Sequence, residues 1–430
     1  MRTLRHYGLG CLFLCGTQLL LAPRVAMAQR NTWIATWASS PESTNPNPKI
    51  PMLNIENQTV RQRVRVSIGG SQICIRLSNE YGSAPLPVGS VTVATPTDEA
   101  SVRPDTIRNV TFSGHNAITI PAGALVLGDP IAFPVRAGVE ISVSIYFPKR
   151  VSTPTIHELA LKRAIISQPG DQTHAEKIAG GATSKSSILI SAVLVPAQPS
   201  ERLLVAFGDS VVDGDGSTVD ADHNWPSDLF RRLLGSSAVS KMAVVNEGFA
   251  GNRLLSNDDG ISARVGLSAG FGASGLARFD RDVLALPGVT HVVLMEGIND
   301  IGFPGAKIGG VYLADPADVP TSEELIEAYL QLISRAHAHG IKLIGATMTP
   351  CEGVELPGYY SESKEATRQT VNKWIRSSGS FDGVIDFDAV LRDPDHPSRL
   401  LPRFASQDHL HPNDAGYQAM ADAIDLTMLQ

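Results

Sequence analysis

The sequence predicts an all-β sandwich domain followed by an α/β domain. At 430 residues the chain exceeds the length at which a single hydrophobic core usually keeps growing. From about residue 32 to residue 196, short β-branched and apolar runs are separated by Gly, Pro and Asn. After Pro196, apolar strand candidates alternate with longer amphipathic segments. We therefore expect a β-sandwich accessory domain over residues 30–196 and an α/β domain over residues 200–430.

The N-terminal residues have the pattern of a signal peptide. Arg2 and Arg5 precede an apolar run, Leu9 to Leu21, and Ala26-Met27-Ala28 provides small residues for cleavage. A membrane anchor is the alternative, but the run is short for a span and Pro23 follows it closely. The sequence predicts cleavage after Ala28 and a secreted or periplasmic protein with no stable membrane insertion after processing.

The composition excludes several classes of protein. Hydrophobic residues make up 43% and charged residues 18%, as in ordinary soluble domains. Loss of residues 1–28 would remove three arginines and no acid, which moves the formal charge from -7 to -10 and disfavours nucleic-acid binding. Of four cysteines only Cys74 and Cys351 would remain, too few for a disulfide scaffold or a convincing zinc site. In an oxidising compartment these two cysteines could form one disulfide, and the sequence does not decide whether they do.

The strand candidates of the β region are short and bounded by turn residues. One further stretch, Ile156 to Ala164, fits either a short helix or a strand. The strand candidates are Thr59 to Ile68, Gln72 to Leu77, Val88 to Ala94, Ala117 to Ile120 and Val139 to Phe147.

The α/β region contains five strand candidates separated by helix candidates. The strands are Leu203 to Phe207, Ala243 to Asn246, His291 to Glu296, Ile341 to Thr347 and Val384 to Asp386. The helices are Pro226 to Leu234, Ser322 to His339, Ser361 to Arg376 and Asn413 to about Leu429. Parallel strands joined by helices place their carboxyl ends on one edge, where ligands of such sheets bind.

Chemically capable residues follow the first three of these strands. Gly208-Asp209-Ser210 comes directly after the first strand, which would present Ser210 at the start of a helix. Gly251 follows the second strand and could aim a backbone NH at the same point, and Asn299 follows the third strand with an amide that can donate to an oxyanion. Each motif alone could equally be a turn or a helix cap.

Asp408 and His411 lie in a loop before the last helix candidate. A carboxylate three residues before an imidazole can bond one ring nitrogen and leave the other free to accept a proton. His409, between them, is interpreted as structural. A metal site at these residues lacks the further thiolate or histidine ligands that such sites use.

Taken together, these blocks resemble the SGNH hydrolases of the GDSL esterase and lipase superfamily, from about Arg202 to the C terminus. The resemblance implies a three-layer α/β/α fold of flavodoxin type with about five parallel strands. It also implies Ser210 as nucleophile, His411 as base, Asp408 as its partner, and an oxyanion hole formed by Ser210, Gly251 and Asn299. No metal or organic cofactor is implied. Val211 stands where the family's name would have Leu.

Finer similarities suggest a substrate class. The stretches Asp213 to Thr218, Asn252 to Leu255 and Ala277 to Asp282 resemble the branch that contains xylanase-associated esterases. The β region is similar to the sandwich domain that precedes the hydrolase in many exported members. The resulting expectation is a secreted serine esterase that acts on a small acyl ester or an acylated carbohydrate, with acetyl foremost.

Other polar and aromatic residues have competing interpretations. Arg253 and Trp225 are candidate substrate contacts, although a surface arginine and a core tryptophan are the ordinary alternatives. Asp213, Asp215 and Asp220 crowd one loop, but their spacing differs from a calcium loop, so we expect solvated carboxylates.

Two other functions remain open from the sequence. An acyltransferase would pass the same acyl group to a sugar hydroxyl, and analysis of products with a polyol acceptor would identify it. A carbohydrate-binding protein with an idle hydrolase domain is the second alternative, and covalent labelling of Ser210 would exclude it.

Overall fold

The computed structural model describes residues 32–45, 54–151, 153–236 and 241–430. The predicted signal peptide, residues 1–28, lies outside the described residues. Residues 32–430 form one compact unit. Antiparallel strands fill its first part, which we call the β region (residues 33–196), and parallel strands with helices fill the α/β region (residues 202–430).

The β region consists of short strands that alternate with turns. In chain order they are β1 (Trp33–Ala38), β2 (Gln58–Arg65), β3 (Gly70–Asn79), β4 (Leu86–Val88), β5 (Ser90–Ala94), β6 (Arg108–Asn109), β7 (Ile118–Ile120), β8 (Ala124–Leu127), β9 (Ile131–Val135), β10 (Glu140–Phe147), β11 (Ile156–His157), β12 (Ala164–Pro169), β13 (Gly180–Ser184), β14 (Ser187–Ile188) and β15 (Ile190–Pro196).

Two antiparallel sheets dominate this region. One has the order β1-β15-β3-β8, with β9 also paired to β3, and the other has the order β13-β12-β2-β10-β5-β6. Ile75 and Val193 of the first sheet lie in the same buried apolar cluster as Val60 and Val143 of the second. Side chains on the inner faces of two sheets thus share one core, which confirms the predicted sandwich. The ambiguous stretch at 156–164 resolves into the short strand β11 and a turn.

The α/β region is built on a parallel sheet of five strands in the described residues. The strands are β16 (Arg202–Gly208), β17 (Met242–Gly248), β18 (Val289–Met295), β21 (Lys342–Ala346) and β22 (Gly383–Ile385). Their order is β17-β16-β18-β21-β22 with every neighbouring pair parallel, which is the flavodoxin-like order. A small hairpin, β19 (Lys307–Ile308) and β20 (Val311–Tyr312), lies apart from it.

Helices cover both faces of the parallel sheet. The α-helices are α1 (Ser210–Asp213), α2 (Trp225–Leu234), α3 (Ile261–Arg264), α4 (Gly275–Phe279), α5 (Ile298–Gly302), α6 (Ser322–Ala338), α7 (Glu362–Ser377), α8 (Phe387–Leu391) and α9 (Asp414–Ala423), with a π-helical turn at Asp280–Leu284 and 3-10 turns at Pro104–Thr106, Pro316–Asp318 and Leu426–Leu429. No helix among the described residues is long and apolar enough to cross a membrane.

Residues that alternate along the central strand β16 pack on opposite faces of the sheet, which gives the three layers. Leu204 and Ala206 of β16 pack in one apolar cluster with α2, α8 and α9, whereas Leu203, Val205 and Phe207 pack in another with α6 and α7. The carboxyl ends of the strands coincide, since Gly208 is in register with both Gly248 and Met295. The predicted fold class is confirmed, and the sequence motifs meet at this edge.

Candidate active site

The turn that carries Ser210 is shaped by close packing at the end of β16. A Cβ atom on Gly208 would lie 1.9 Å from the carbonyl oxygen of Met295, so only glycine fits there. Asp209 caps the following helix by accepting a hydrogen bond from the amide of Val211 at 2.9 Å. Ser210 is therefore the first residue of α1, buried but for 6% of its surface.

Ser210, His411 and Asp408 form a continuous chain of hydrogen bonds. His411 Nε2 lies 2.8 Å from Ser210 Oγ, and His411 Nδ1 lies 2.5 Å from Asp408 Oδ2. The other oxygen of Asp408 accepts from Ser406 Oγ at 2.6 Å and from the amide of Leu410 at 2.9 Å. The loop before α9 thus fixes the carboxylate, which in turn orients the imidazole toward the serine.

Neighbouring charges favour the ionised forms of both groups. Burial alone would raise the pKa of Asp408, but its hydrogen bond and ion pair with His411 hold that pKa well below the usual range. Burial alone would lower the pKa of His411, but the hydrogen bond that it donates to Asp408 and the nearby charge of Asp215 raise that pKa above 6.5. Asp215 Oδ2 lies 3.7 Å from His411 Nε2, with 42% of its side chain exposed.

Gly251 adopts a conformation that suits glycine. Its φ angle is +73°, and a Cβ atom would lie 2.1 Å from Cδ1 of Phe271. The ring of Phe271 therefore packs directly against the backbone of Gly251. It also contacts Phe303, with ring centroids 5.0 Å apart.

Asn299 is held on both sides of its amide. Its Nδ2 donates to the carbonyl of Asn252 at 2.9 Å, and its Oδ1 accepts from the hydroxyl of Tyr359 at 2.8 Å. Asp300 accepts from the amides of Leu254 and Leu255 at 2.6 and 2.8 Å, which ties the same two segments together. The structure thus brings the segments that contain Gly251 and Asn299 side by side. One N–H of the Asn299 side-chain amide is left to donate to another acceptor.

Two positioning residues at this edge were not predicted from the sequence. Tyr359 fixes the orientation of Asn299, as described above. Arg278 is 1% exposed and donates to the carbonyl of Gly208 at 2.7 Å, the carbonyl of Glu247 at 2.9 Å and Oδ1 of Asn252 at 2.7 Å. The guanidinium therefore links the ends of β16 and β17 to the segment that contains Gly251 and Asn252. In the sequence, the Ala277–Asp282 motif was the one feature that drew attention to Arg278.

The two predicted substrate contacts have different outcomes. Trp225 is completely buried in the apolar core on α2, with its ring 5.6 Å from that of Phe387, so it has no route to a substrate and the predicted contact is wrong. The apolar ring of Trp225 completes the packing of α2 against α8. Arg253 is 7% exposed and donates to the carbonyl of Asn257, so it stabilises the loop after Gly251. Its contact with a substrate stays a prediction.

The acidic loop after Ser210 is less solvated than expected. Asp213 is buried beside His157, and Asp220 forms ion pairs with Arg63 and Arg163 at 3.4 and 3.1 Å. Only Asp215 of the three is substantially exposed. The difference arises because the β region covers this loop.

One cluster of possible metal ligands in the described part of the chain is formed by Glu42, His157 and Asp213. The carboxylates lie on opposite edges of the imidazole: Glu42 Oε1 is 3.0 Å from Nδ1 and Asp213 Oδ1 is 2.9 Å from Nε2. A metal ion would use only one of these nitrogens and would displace one of the pairs. The geometry is that of an imidazole hydrogen-bonded at both nitrogens.

The two cysteines beyond the N-terminal segment are separate, buried free thiols. Burial raises the pKa of Cys74 to about 11 and that of Cys351 to about 12. Both therefore stay protonated at neutral pH and make poor nucleophiles.

Comparison with models of known protein families gave a match within the α/β region of the chain. Residues 206–419 match the model of the GDSL-like lipase/acylhydrolase family. Sequence comparison with curated proteins gave no match.

Several solved structures are similar to about half of this chain. A GDSL-like lipase from Bacteroides thetaiotaomicron VPI-5482 is 17% identical over 54% of this chain and 91% of its own, with a TM-score of 0.37. A member of the lipolytic G-D-S-L family from Veillonella parvula DSM 2008 is 17% identical over 52% and 95%, with a TM-score of 0.34. A variant of an acetyl xylan esterase from Geobacillus stearothermophilus is 20% identical over 54% and 94%, with a TM-score of 0.38.

The family match covers the parallel sheet from Ala206 onward and includes the serine, the histidine and the aspartate that the fold brings together. Through residues 206–419 the chain belongs to the GDSL-like lipase/acylhydrolase family, and it is a hydrolase that acts on esters.

Proposed function

We propose that the protein is a secreted serine esterase that removes short acyl groups, acetyl foremost, from a carbohydrate or another polar alcohol. The observation that carries the catalytic part is the unbroken set of hydrogen bonds from Asp408 through His411 to Ser210. Those three groups supply a nucleophile, its base and the carboxylate that orients the base.

The proposed acylation step begins with attack of Ser210 Oγ on the ester carbonyl carbon. As the new C–O bond forms, the hydroxyl proton passes to His411 Nε2, and the carbonyl π-bond becomes an oxyanion. Collapse of the tetrahedral intermediate breaks the bond to the alcohol oxygen, which takes the proton from His411. Asp408 remains ionised throughout and stabilises the imidazolium.

Deacylation repeats these steps with water. His411 accepts a proton from water as its oxygen attacks the acyl-serine carbonyl, and the second intermediate releases the carboxylic acid and restores Ser210. The oxyanion of both intermediates would accept from the backbone amides of Ser210 and Gly251 and from Nδ2 of Asn299. The bonds that hold Asn299 to Asn252 and Tyr359 support this role, because a fixed donor needs no reorganisation during the reaction.

Substitution at Ser210 and His411 tests the catalytic assignment. We expect Ser210→Ala and His411→Ala each to lower kcat for p-nitrophenyl acetate by on the order of 10⁶, since triad members act as a unit. His409→Asn is the matched control, because His409 is exposed two residues away and has a φ of +59° that asparagine tolerates. A Ser210→Ala enzyme within tenfold of wild-type kcat would exclude Ser210 as nucleophile, as would a fluorophosphonate adduct on another residue.

The aromatic packing beside Gly251 supports the preference for short acyl groups. Phe271 packs against the backbone of this proposed oxyanion donor and against Phe303, which leaves little room for a long chain on that side. The surrounding loops over residues 213–222 and 257–274 are rich in Gly, Ser and Asp rather than in large apolar side chains. An interfacial lipase would need a larger exposed apolar surface.

A panel of acetyl, butyryl, octanoyl and palmitoyl esters of one alcohol measures this preference. We expect kcat/KM to be highest for acetyl or butyryl, and the Phe271→Ala enzyme to gain on the octanoyl ester relative to acetyl by on the order of tenfold. A wild-type maximum at octanoyl or longer would refute the short-acyl proposal. The rate of acetate release from acetylated xylan then shows how a carbohydrate ester compares with these simple esters as a substrate.

Export is the remaining part of the proposal, and it is supported by the charged and apolar N-terminal pattern and the Ala-Met-Ala sequence. N-terminal sequencing of protein recovered from periplasm or medium should begin at Gln29. An unprocessed cytoplasmic chain would contradict export.

A further inference from the structure

His157 of the β region lies directly behind the helix that carries Ser210. It belongs to the short strand β11 and is 5% exposed. Its Nε2 lies 2.9 Å from Oδ1 of Asp213, the last residue of α1. Its Nδ1 lies 3.0 Å from Oε1 of Glu42 and 3.1 Å from the carbonyl of Ser40. An acceptor therefore faces each ring nitrogen.

The charge state of His157 suits this arrangement. Burial alone would lower its pKa, but the carboxylates of Asp213 and Glu42 outweigh burial and raise the pKa of His157 well above 6.5. Both ring nitrogens then carry protons at neutral pH. Nε2 donates to Asp213, whereas Nδ1 donates to the carbonyl of Ser40 and forms an ion pair with the Glu42 carboxylate at 3.0 Å. The imidazolium is thus a fixed cationic link between the β region and α1.

The helix α1 depends on such a link because it is only four residues long. A single turn has little stability of its own, so tertiary contacts must hold it. Its backbone end is held by Asn246 Nδ2, which donates to the carbonyls of Val212 and Asp213 at 2.9 and 3.0 Å. The side chain of Asp213 is held by His157, while its Oδ2 has no hydrogen-bond partner.

Loss of His157 would leave a buried carboxylate without its partner. An unpaired buried charge is strongly unfavourable, so Asp213 must move or recruit water. His157 and Asp213 both line a cavity of about 110 Å³ between the β region and the α/β region, which provides the room for that movement. Displacement of Asp213 would carry the end of α1 with it, three residues from Ser210.

We propose that His157 is a positioning residue for the nucleophile: through Asp213 it fixes the one-turn helix on which Ser210 stands. The proposal rests on the function proposed above for Ser210. It makes the β region a structural part of the active site, because that region supplies both His157 and Glu42. It also gives the Asp213–Thr218 motif a physical role that the sequence could not reveal.

The decisive experiment compares His157→Leu with His157→Gln. The leucine removes both donors, whereas the glutamine amide can still donate to Asp213 from a position close to that of Nε2. We expect His157→Leu to lower kcat for p-nitrophenyl acetate, and the rate of fluorophosphonate labelling of Ser210, by on the order of 10²-fold, with a much smaller change in KM. His157→Gln should recover most of both rates.

Gln62→Leu is the matched control for stability. Gln62 is 4% exposed and bonds both the amide and the carbonyl of Ile188, the strand partner of Ile156 beside His157. Its loss should lower Tm as the loss of His157 does but leave kcat and labelling within about twofold of wild type. All rates are measured at least 15 °C below each variant's own Tm, so that a partly unfolded sample does not imitate misplacement.

Two results would overturn the proposal: a folded His157→Leu enzyme with kcat within twofold of wild type, or a loss of kcat no larger than that of Gln62→Leu. Should His157→Leu not fold, Asp213→Asn decides, because it keeps the shape but weakens the pair; an unchanged kcat there refutes the role. Failure of the proposed function is distinguishable, since then wild-type Ser210 itself would remain unlabelled.

Discussion

At the scale of single residues, three carboxylates set the protonation of His411. Asp408 bonds Nδ1, Asp215 lies 3.7 Å from Nε2, and Asp209 contributes from the start of α1. All of them favour the imidazolium over the neutral ring, and together they outweigh the effect of burial. In the proposed mechanism the neutral ring accepts the serine proton, so activity should rise with pH through the raised pKa of His411.

Removal of the Asp215 charge should shift this acid limb. At 3.7 Å in a water-like dielectric, one unit charge contributes about 1 kcal/mol, which corresponds to about 0.7 of a pH unit. We therefore expect Asp215→Asn to lower the pKa of His411 and to move the acid limb of kcat/KM to lower pH by about that amount. Elevated salt should shrink the difference, since Asp215 is half-exposed.

Asp259→Asn is the control for this measurement, because Asp259 is an exposed aspartate whose φ of +49° asparagine accepts. It makes the same change in net charge away from His411. A profile for Asp215→Asn that coincides with wild type, or that shifts as Asp259→Asn does, would mean that Asp215 leaves the base unaffected.

The predictable site residues are those whose role follows from local sequence. Ser210, Asp408 and His411 each lie in a short motif at a strand end or before a helix, and their spacing indicates their chemistry. The positioning role of Arg278 did not follow from its motif, since its partners Gly208, Glu247 and Asn252 come together only in the folded sheet. The error at Trp225 has the same origin, because the sequence does not show which face of α2 meets α8.

At the scale of elements, periodicity predicted the long segments and missed the short ones. The five parallel strands and the helices α2, α6 and α7 lie within a few residues of their expected positions. The last helix ends at Ala423 instead of about Leu429, because Ile424 is extended and Asp425 caps a separate 3-10 turn. One-turn helices such as α1 carry no periodic signal, since four residues are too few to show one.

The loop after Gly251 shows why such short elements depend on distant residues. Asn45 donates from Nδ2 to Ser262 Oγ and to the carbonyls of Leu267 and Ala269 at 3.0 to 3.1 Å. The amide of Gly270 donates to the carbonyl of Ser43 at 3.1 Å. Residues of the β region thus fix the segment that carries Phe271, which sequence spacing of more than 200 residues could not indicate.

At the scale of the whole molecule, the β region and the α/β region share one apolar core. Ile34 of β1 lies in the same buried cluster as Leu203, Val205 and Ala243 of the parallel sheet. A Cβ atom on Gly288 would lie 2.7 Å from Cγ1 of Ile34, which shows how closely β1 approaches the turn before β18. Burial of such a continuous core makes the two regions interdependent in stability.

Polar contacts cross the same boundary. The amide of Ala35 donates to the carbonyl of Pro287 at 3.0 Å, and the amide of Val244 donates to Ser67 Oγ at 3.1 Å. Lys162 pairs with Asp222 at 2.8 Å, with only 9% of the lysine side chain exposed. Separation of the regions would leave these donors and charges unpaired on newly exposed apolar surfaces, at a cost for each unpaired group.

We therefore expect residues 200–430 expressed alone to be insoluble, or to lack a cooperative thermal transition, and to have no measurable esterase activity. Co-expression of residues 32–199 with residues 200–430 as separate chains should restore a soluble, active complex, because the contacts between the regions need no peptide bond at residue 199. Size-exclusion chromatography, thermal unfolding and hydrolysis of p-nitrophenyl acetate measure the three properties. A soluble, monomeric 200–430 fragment with the kcat of the full chain would show instead that the β region is dispensable for catalysis, and it would remove the structural basis on which His157 is assigned to the active site.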